Sequence, residues 1–201
     1  MNRSSVVSAF AVALLALSAP LAAQGSLVEQ AAQWGFDPSV LVADSQALLL
    51  RAPDREMDLL FQAVHGSAQD PGEAAALCTA LDPGGELGLE ALQTAGEQLG
   101  PASRERFVGA IGAVMLAAAQ NPPQRFDEAV ARQALKAAGV TAAIQHDGFV
   151  AGLASSDRDA RCRSVRLLIE GLQTRPLAER AAATRLMLRE GLVLLEPALR
   201  R

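Results

Sequence analysis

The stretch Ser155–Leu172, SSDRDARCRSVRLLIEGL, carries a helix start signal, four arginines and one of the two cysteines of the chain. Ser156 with Asp159 three residues later has the pattern of a capping box, in which the two side chains satisfy backbone N–H groups at a helix N-terminus. The apolar residues that follow recur at spacings of three and four, which places them on one face of a helix. They are Cys162, Val165, Ile169 and Leu172. This stretch predicts an amphipathic helix with one buried face.

On a helical wheel, the four arginines of this helix separate into two pairs. Arg158 and Arg161 fall near the apolar face in the first turn. We expect them to be partly buried and neutralised by an acid or by carbonyl groups of the same chain, with a binding role as the alternative. Arg163 and Arg166 fall on the polar side with Glu170 and are predicted to point outward. A guanidinium offers planar, bidentate donors to a carboxylate, so this outward pair is the predicted partner-binding site.

Cys162 is predicted to form a disulfide with Cys78. Asp70 followed by Pro71 is a helix start signal, and Cys78 lies on the apolar face of the short helix that begins there. Two cysteines in an exported protein more often pair than stay free, because the compartment is oxidising. The alternative is a pair of buried, reduced cysteines that fill space as small apolar residues.

The first 23 residues have the pattern of a secretory signal peptide. Met1–Arg3 is a short positive start, Val6–Leu17 is mostly apolar, and Ser18–Ala23 supplies the small residues of a cleavage site. The apolar run is shorter than the roughly 20 residues that span a membrane, so we expect cleavage and no stable membrane insertion afterwards. An uncleaved anchor is the alternative. The predicted location is the periplasm or the extracellular medium.

Residues 24–201 are predicted to form one all-α domain. Half of the chain is hydrophobic, and most of that is Ala and Leu, with six Phe, one Trp and no Tyr. This composition suits helices packed through small side chains and lacks the β-branched and aromatic enrichment of strands. Pro and Gly divide the chain into helix-length segments without a strand-like alternation. We expect a bundle of about eight to ten short helices pinned by one disulfide.

Proline and glycine also predict individual helix boundaries. The proline starts place helices from Pro38 to near Arg51 and from Pro71 onward. Pro53 is expected to open a further helix that ends at Gly66, and Gly139 is expected to end the helix that starts at Phe126.

Two further helices are predicted from the pattern of apolar residues. Ser103 is expected to cap a helix running to Gln120, and its apolar spacing with closely placed glycines makes it the candidate for the central buried helix. At the end of the chain, Pro176–Arg189 and Gly191–Pro197 are predicted to form a final hairpin.

The formal net charge of −4 hides an uneven distribution of charge. Residues 24–156 contain sixteen acids, six arginines and one lysine, whereas residues 157–201 contain ten arginines and six acids. One explanation is that the acidic and basic parts face each other or are solvated. The other is that the arginine-rich end presents a patch to an acidic partner. The sequence leaves both explanations open.

No catalytic or metal-binding motif occurs in the sequence. It contains neither G-x-S-x-G nor H-E-x-x-H, and its two histidines, His65 and His146, are far apart along the chain. A disulfide would leave no thiol nucleophile. The acidic bulk and the scarcity of aromatic side chains disfavour nucleic-acid binding. We therefore predict no catalytic residue, no metal and no cofactor.

Surface recognition is the leading functional hypothesis. We expect a non-enzymatic periplasmic binding protein, such as an inhibitor, immunity-type or assembly factor, whose partner is another cell-envelope protein. The predicted contact residues are Arg163, Arg166 and Trp34. The alternatives are a carrier of a small lipophilic ligand and a cell-envelope hydrolase. An apolar cavity of roughly several hundred Å³ would favour the carrier, two close carboxylates in a cleft the enzyme, and a flat patch at Trp34 or the arginines the binding protein.

Overall fold

The computed structural model describes residues 38–82 and 89–199, which form nine α-helices and no strand. The helices are α1 (Pro38–Arg51), α2 (Asp54–Gln69), α3 (Pro71–Leu81), α4 (Leu89–Gln98), α5 (Pro101–Gln120), α6 (Glu128–Gln145), α7 (Phe149–Leu153), α8 (Arg158–Gln173) and α9 (Leu177–Leu199). The all-α prediction is confirmed. The predicted signal peptide and Trp34 lie outside the described residues. Within the two described ranges, no helix is long and apolar enough to cross a membrane.

Small side chains set how closely the helices approach each other at the centre of the structure. One face of α6 is buried entirely through alanines, which are Ala131, Ala134, Ala138 and Ala142. α8 crosses this face at Gly171, where a Cβ atom would lie only 2.6 Å from the carbonyl oxygen of Ala138. Glycine at this point therefore lets the backbones of α6 and α8 come nearly into contact. The high alanine content of the sequence serves this close packing.

The middle of the bundle is formed by α2 and α9. α2 packs against α9, α5 and α3, while α9 also packs against α1 and α6. The largest buried cluster joins Phe61 of α2 to residues of α3, α6, α8 and α9. The predicted central role of α5 is wrong, because Val108 and Leu116 are exposed and a Cβ at Gly109 or Gly112 would meet no atom within 4 Å. Its apolar stripe is one-sided, so α5 lies at the edge of the bundle.

Two predicted helix ends are wrong because tertiary packing outweighs the local effect of glycine. α2 continues through Gly66 to Gln69, and α6 continues through Gly139 to Gln145. Buried residues follow each glycine in its helix, Ser67 and Ala68 in α2 and Ala142 in α6. An interior glycine costs about 1 kcal/mol relative to alanine, which such packing offsets.

A glycine with a left-handed backbone lies in the turn between α6 and α7. Gly148 has φ of 81°, the one positive φ among the described residues, and it precedes α7. Only glycine adopts this conformation without a steric penalty from Cβ. The chain can therefore turn sharply between α6 and α7.

The helix starts predicted at Pro38 and Pro71 are confirmed, whereas the start predicted at Ser103 is wrong. α1 runs from Pro38 to Arg51 and α3 begins at Pro71, as expected, and the Asp70 carboxylate accepts hydrogen bonds from the N–H groups of Gly72 and Glu73 at 2.7 and 3.2 Å. The predicted cap at Ser103 is wrong, because α5 already begins at Pro101. Proline fixes φ and so marks a first turn more reliably than a serine that can bond elsewhere.

The ends of the last two helices also differ from the prediction. Asp157, not Ser156, caps α8, and its carboxylate accepts hydrogen bonds from the N–H groups of Asp159 and Ala160. α9 is one continuous helix, so the predicted hairpin between Arg189 and Gly191 is wrong. Its contacts with α2, α6 and α1 run along a long face and support the helix through the glycine.

Candidate functional site

The predicted disulfide between Cys78 and Cys162 is confirmed. It joins α3 to α8 with the two Cα atoms 5.4 Å apart and closes 84 positions of sequence. Both cysteines of the chain are used in this bond, so neither is available as a nucleophile or a metal ligand. α8 is thereby fixed to the N-terminal part of the bundle.

Arg161 strengthens the same junction, and its predicted intramolecular pairing is confirmed. Its Nε and Nη2 atoms each donate to one carboxylate oxygen of Asp82 at 2.7 Å, and Nη1 donates to the carbonyl oxygens of Ser155 and Ser156. The side chains of Arg161 and Asp82 are only 14% and 4% exposed. The hydrogen bonds to Asp82 raise the pKa of Arg161 above its usual value, in spite of burial. This pair is bidentate, which fixes orientation as well as distance.

Arg158 does not follow the prediction of partial burial. It is exposed and lines the rim of a groove beside the disulfide. The reason lies in the start of α8, which is capped by Asp157 and not by Ser156 and therefore begins at Arg158. Arg158 is therefore the first helical residue and lies at the open end of the helix.

Two arginines of α9 that the sequence analysis did not single out turn inward. Arg180 donates from Nε and Nη2 to the two carboxylate oxygens of Asp58 at 2.7 and 2.9 Å. Arg185 is 1% exposed and donates to the carbonyl oxygens of Leu49 and Ala52, and to Asp54 at 3.2 Å. A signal for Arg185 existed in the sequence, because it occupies the same helical face as apolar residues three and four positions away.

The inward arginines explain part of the uneven charge distribution. Arg161, Arg180 and Arg185 all come from the arginine-rich C-terminal part, and their carboxylate partners, Asp82, Asp58 and Asp54, all come from the acidic N-terminal part. The two parts of the sequence thus face each other across the bundle at these places. Arginine content alone therefore does not identify a binding surface.

Glu73 is a further buried charge that sequence reasoning missed. It is 8% exposed and accepts hydrogen bonds from the N–H of Gly100 at 2.9 Å and from the hydroxyl of Ser103 at 2.6 Å, while Arg106 donates to that hydroxyl. Burial alone would raise the pKa of Glu73, but these bonds and the charge of Arg106 lower it below the usual value. The hydroxyl of Ser67 is buried beside them without a partner of good geometry in the described part of the chain. Glu73 anchors α3 to the start of α5.

The groove beside the disulfide is the first of two depressions at the surface of α8. It has a volume of about 290 Å³ and lies between α3 and α8. Its walls are mainly apolar, and include Leu77, Leu81, Val165 and Ile169. At its rim are Arg158, Arg163 and Arg166, with Asp159 as the one acid among its lining residues. We call this depression the disulfide groove.

The second depression lies on the other side of the same arginines. It has a volume of about 660 Å³ and is bounded by the turn between α6 and α7, including His146 and Asp147, and by residues of α8. Arg163 and Arg166 line this depression as well as the disulfide groove. The two arginines therefore form a ridge between two adjacent depressions, which we call the arginine ridge.

The arginine ridge is exposed, as the helical wheel predicted. Both side chains are exposed, and neither takes part in an ion pair or a side-chain hydrogen bond within residues 38–82 and 89–199. This distinguishes them from Arg161, which lies two residues before Arg163 in the same helix. Two guanidinium groups three residues apart on one helix lie on the same side and can meet an acidic surface together.

The remaining candidate chemistry is not assembled at one place. His65 stacks on Phe61 with ring centroids 6.1 Å apart, and burial lowers the pKa of His65. His146 lies elsewhere, at the end of α6. In the described ranges, no three His, Cys, Asp or Glu side chains are placed to hold a metal ion. Each depression has one acidic residue in its lining, Asp159 in one and Asp147 in the other. Neither arrangement brings the two carboxylates together that paired acid–base chemistry requires.

Comparison with other proteins adds no relative to this picture. No protein-family model, curated protein or solved structure matches the chain.

Proposed function

We propose that this chain is an exported, non-enzymatic helical binding protein that recognises an acidic surface on another cell-envelope protein. The observation that carries the proposal is the arginine ridge, in which Arg163 and Arg166 are exposed and border two depressions at once. Arginine is enriched at protein interfaces and pairs with carboxylates in a defined planar geometry. An acidic partner surface is the chemistry that such a ridge fits.

The way α8 is held also supports a binding role. The disulfide to Cys78 and the bidentate pair of Arg161 with Asp82 fix this helix near its start, and the close crossing at Gly171 fixes it near its end. A surface that is already ordered loses less conformational entropy when a partner binds. The ridge is therefore presented on a rigid support.

Export is part of the proposal and rests on two features. The N-terminal residues have the pattern of a signal peptide, and the chain forms a disulfide, which is typical of oxidising compartments. A disulfide between α3 and α8 would be reduced in most cytosols. These features together favour a partner in the cell envelope.

The second candidate function is a carrier of a small lipophilic ligand. The observation in its favour is the disulfide groove, which has apolar walls and one acid. Its volume of about 290 Å³ is at the lower limit of the roughly 300–1,000 Å³ typical of small-molecule sites, and it is open to solvent along one side. We therefore rank the carrier below the binding protein.

The proposal is tested by affinity capture of partners from the cell envelope of the native organism, with the mature chain from Gln24 as bait. We expect R163E/R166E to lose the captured protein, because it reverses the charge of the ridge. The matched control is R104E/R125E, which makes the same change of charge at two exposed arginines elsewhere. Equal capture by both double variants would overturn the proposal. If no protein is captured and solvent extraction of the pure chain releases a lipid, the carrier replaces it.

A further inference from the structure

We propose that the disulfide groove receives one large aliphatic or aromatic side chain from an acidic segment of the partner, whose carboxylates bind Arg163 and Arg166. This inference rests on the proposed function and specifies what the arginine ridge recognises. It commits the groove to a protein segment in which an apolar residue is flanked by Asp or Glu.

The walls of the groove supply the apolar part of this recognition. Leu77 of α3 is 8% exposed and Ile169 of α8 is 7% exposed, so the deep part of the groove belongs to the hydrophobic core. Leu81, at 38% exposed, forms the outer wall. Displacement of water from this apolar lining by another apolar group is favourable.

The size of the groove favours a side chain over a lipid. Its volume is about 290 Å³, and part of this space opens to solvent. A typical ligand pocket encloses most of its ligand. An open groove whose volume is at the lower limit for such pockets cannot enclose a long acyl chain in this way. One leucine or phenylalanine side chain, anchored by the backbone of its own protein, needs only the apolar part of this space.

The charges at the rim determine the flanking residues of the segment. Three arginines and one aspartate line the groove, so its rim is net positive. The inference depends on Arg163 and Arg166, the two arginines of the arginine ridge. Asp159 lies near the N-terminal end of α8 and repels acids there. Carboxylates of the segment are therefore expected at the Arg163 and Arg166 side of the groove.

The test uses the full mature chain and blocked, fluorescein-labelled peptides, measured by fluorescence anisotropy. The probe has one leucine flanked on each side by two glutamates. In the first comparison peptide alanine replaces the leucine, and in the second lysines replace the glutamates. We expect the leucine peptide to bind at least about tenfold more tightly than the alanine peptide, because burial of the larger side chain removes more apolar surface from water. The lysine peptide should not bind.

Substitutions in the disulfide groove test its contribution to binding separately from that of the arginine ridge. Ala75 is exposed and lines the groove, so the tryptophan side chain of A75W should fill the apolar space. We expect this variant to bind the leucine peptide at least about tenfold more weakly. The matched control is A119W, at an exposed alanine of α5 outside both depressions. L81S removes part of the outer wall and should act in the same direction, with L116S, at 63% exposed, as its control. Circular dichroism establishes that each variant is folded.

The possible outcomes distinguish this inference from the proposed function. If leucine and alanine peptides bind equally and A75W changes neither, the groove proposal is overturned, while capture that still depends on the arginines leaves the proposed function intact. If the leucine peptide fails to bind at about 1 mM, the groove proposal is also overturned. Binding of palmitate that is lost in A75W, without binding of the leucine peptide, would assign the groove to a lipid. If R163E/R166E captures partners normally, the proposed function fails first.

Discussion

Two arginines of α9 and two arginines of α8 are placed in opposite ways. Arg180 and Arg185 of α9 point into the bundle and donate to carboxylates and carbonyl groups, whereas Arg163 and Arg166 of α8 point to solvent. Both helices are arginine-rich, so composition does not separate them. What differs is the surrounding structure, because α9 lies between other helices and this side of α8 faces two open depressions.

The comparison shows what a buried arginine does in this fold. α1 ends at Arg51, and the last carbonyl groups of a helix have no partner within it. Arg185 donates to the carbonyl oxygens of Leu49 and Ala52 at this end, at 3.0 and 2.6 Å. Arg161 does the same for Ser155 and Ser156 just before α8. The inward arginines thus donate to backbone carbonyl groups near helix ends, and those bonded by Arg185 are buried. The arginine ridge makes no such bond within the described residues.

The largest effect is expected when an inward arginine is removed. R185A should lower the free energy of unfolding by about 2–6 kcal/mol, because it leaves the two buried carbonyl groups of Leu49 and Ala52 without donors, at about 1–3 kcal/mol for each. R185M, which keeps the apolar length of the side chain, should recover only the packing part of this loss. Urea denaturation followed by circular dichroism measures both. If R185A costs no more than R163A does, the distinction between inward and outward arginines is false.

The next largest effect is expected when alanine replaces a glycine. The change in the free energy of unfolding should have opposite signs where the glycine is closely packed and where it has open space around it. G171A should lower the free energy of unfolding by about 1–3 kcal/mol, because its Cβ would meet the carbonyl oxygen of Ala138. G112A in α5 should instead raise it by about 0.5–1 kcal/mol, since a methyl group there meets no atom within 4 Å and alanine favours helix. Thermal denaturation of the two variants in parallel reveals the sign. Stabilisation of both would mean that α6 and α8 are not closely packed.

A smaller, pH-dependent effect is expected at Glu73. Its pKa in the folded chain is below the usual value of 4.5, so the ionised carboxylate stabilises the fold above that pH and this contribution is lost as pH falls through the lower, folded-state pKa. E73Q should therefore lose less stability than the unmodified chain between about pH 5 and about pH 3. The matched control is E105Q, at an exposed glutamate of α5. Urea titrations across this range measure the slopes, and identical slopes for all three proteins would show that Glu73 is not held by its donors.

The smallest effect on stability is expected at the arginine ridge. R163A/R166A should change the free energy of unfolding by no more than about 0.5 kcal/mol, because neither side chain has an ion-pair partner among the described residues. The same variant should lose partner capture under the proposed function. A large loss of stability would place these two arginines in the same class as Arg180 and Arg185.

Local sequence signals predicted the fold class, the disulfide and the outward position of the ridge. These follow from composition, from two cysteines and from one helical wheel, each of which depends on few long-range contacts. The signals failed where packing of distant segments decides the result. Gly66 and Gly139 lie inside helices whose later residues are buried against other segments, and the role of Arg185 depends on the end of α1, more than 130 positions away.

The candidate site was predictable only in part. The helical wheel identified Arg163 and Arg166 as exposed, but their position between two depressions depends on α3 and on the turn after α6. Arg158 was misplaced because the cap of α8 lies one position later than predicted, which makes Arg158 the first helical residue, at the open end of the helix. Trp34 lies outside the described residues, and its part in binding stays a prediction.

The disulfide makes the middle of this chain a covalent ring. Cys78 and Cys162 are 84 positions apart, and α4–α7 lie between them. A single protease cut within residues 79–161 therefore leaves both fragments attached to each other, whereas a cut before Cys78 or after Cys162 releases a piece. Nicked chains of the first kind would migrate as one species on a denaturing gel until a reductant is added. Wherever proteases reach the chain, such a ring would keep the arginine ridge joined to α3 after a cut in the intervening helices.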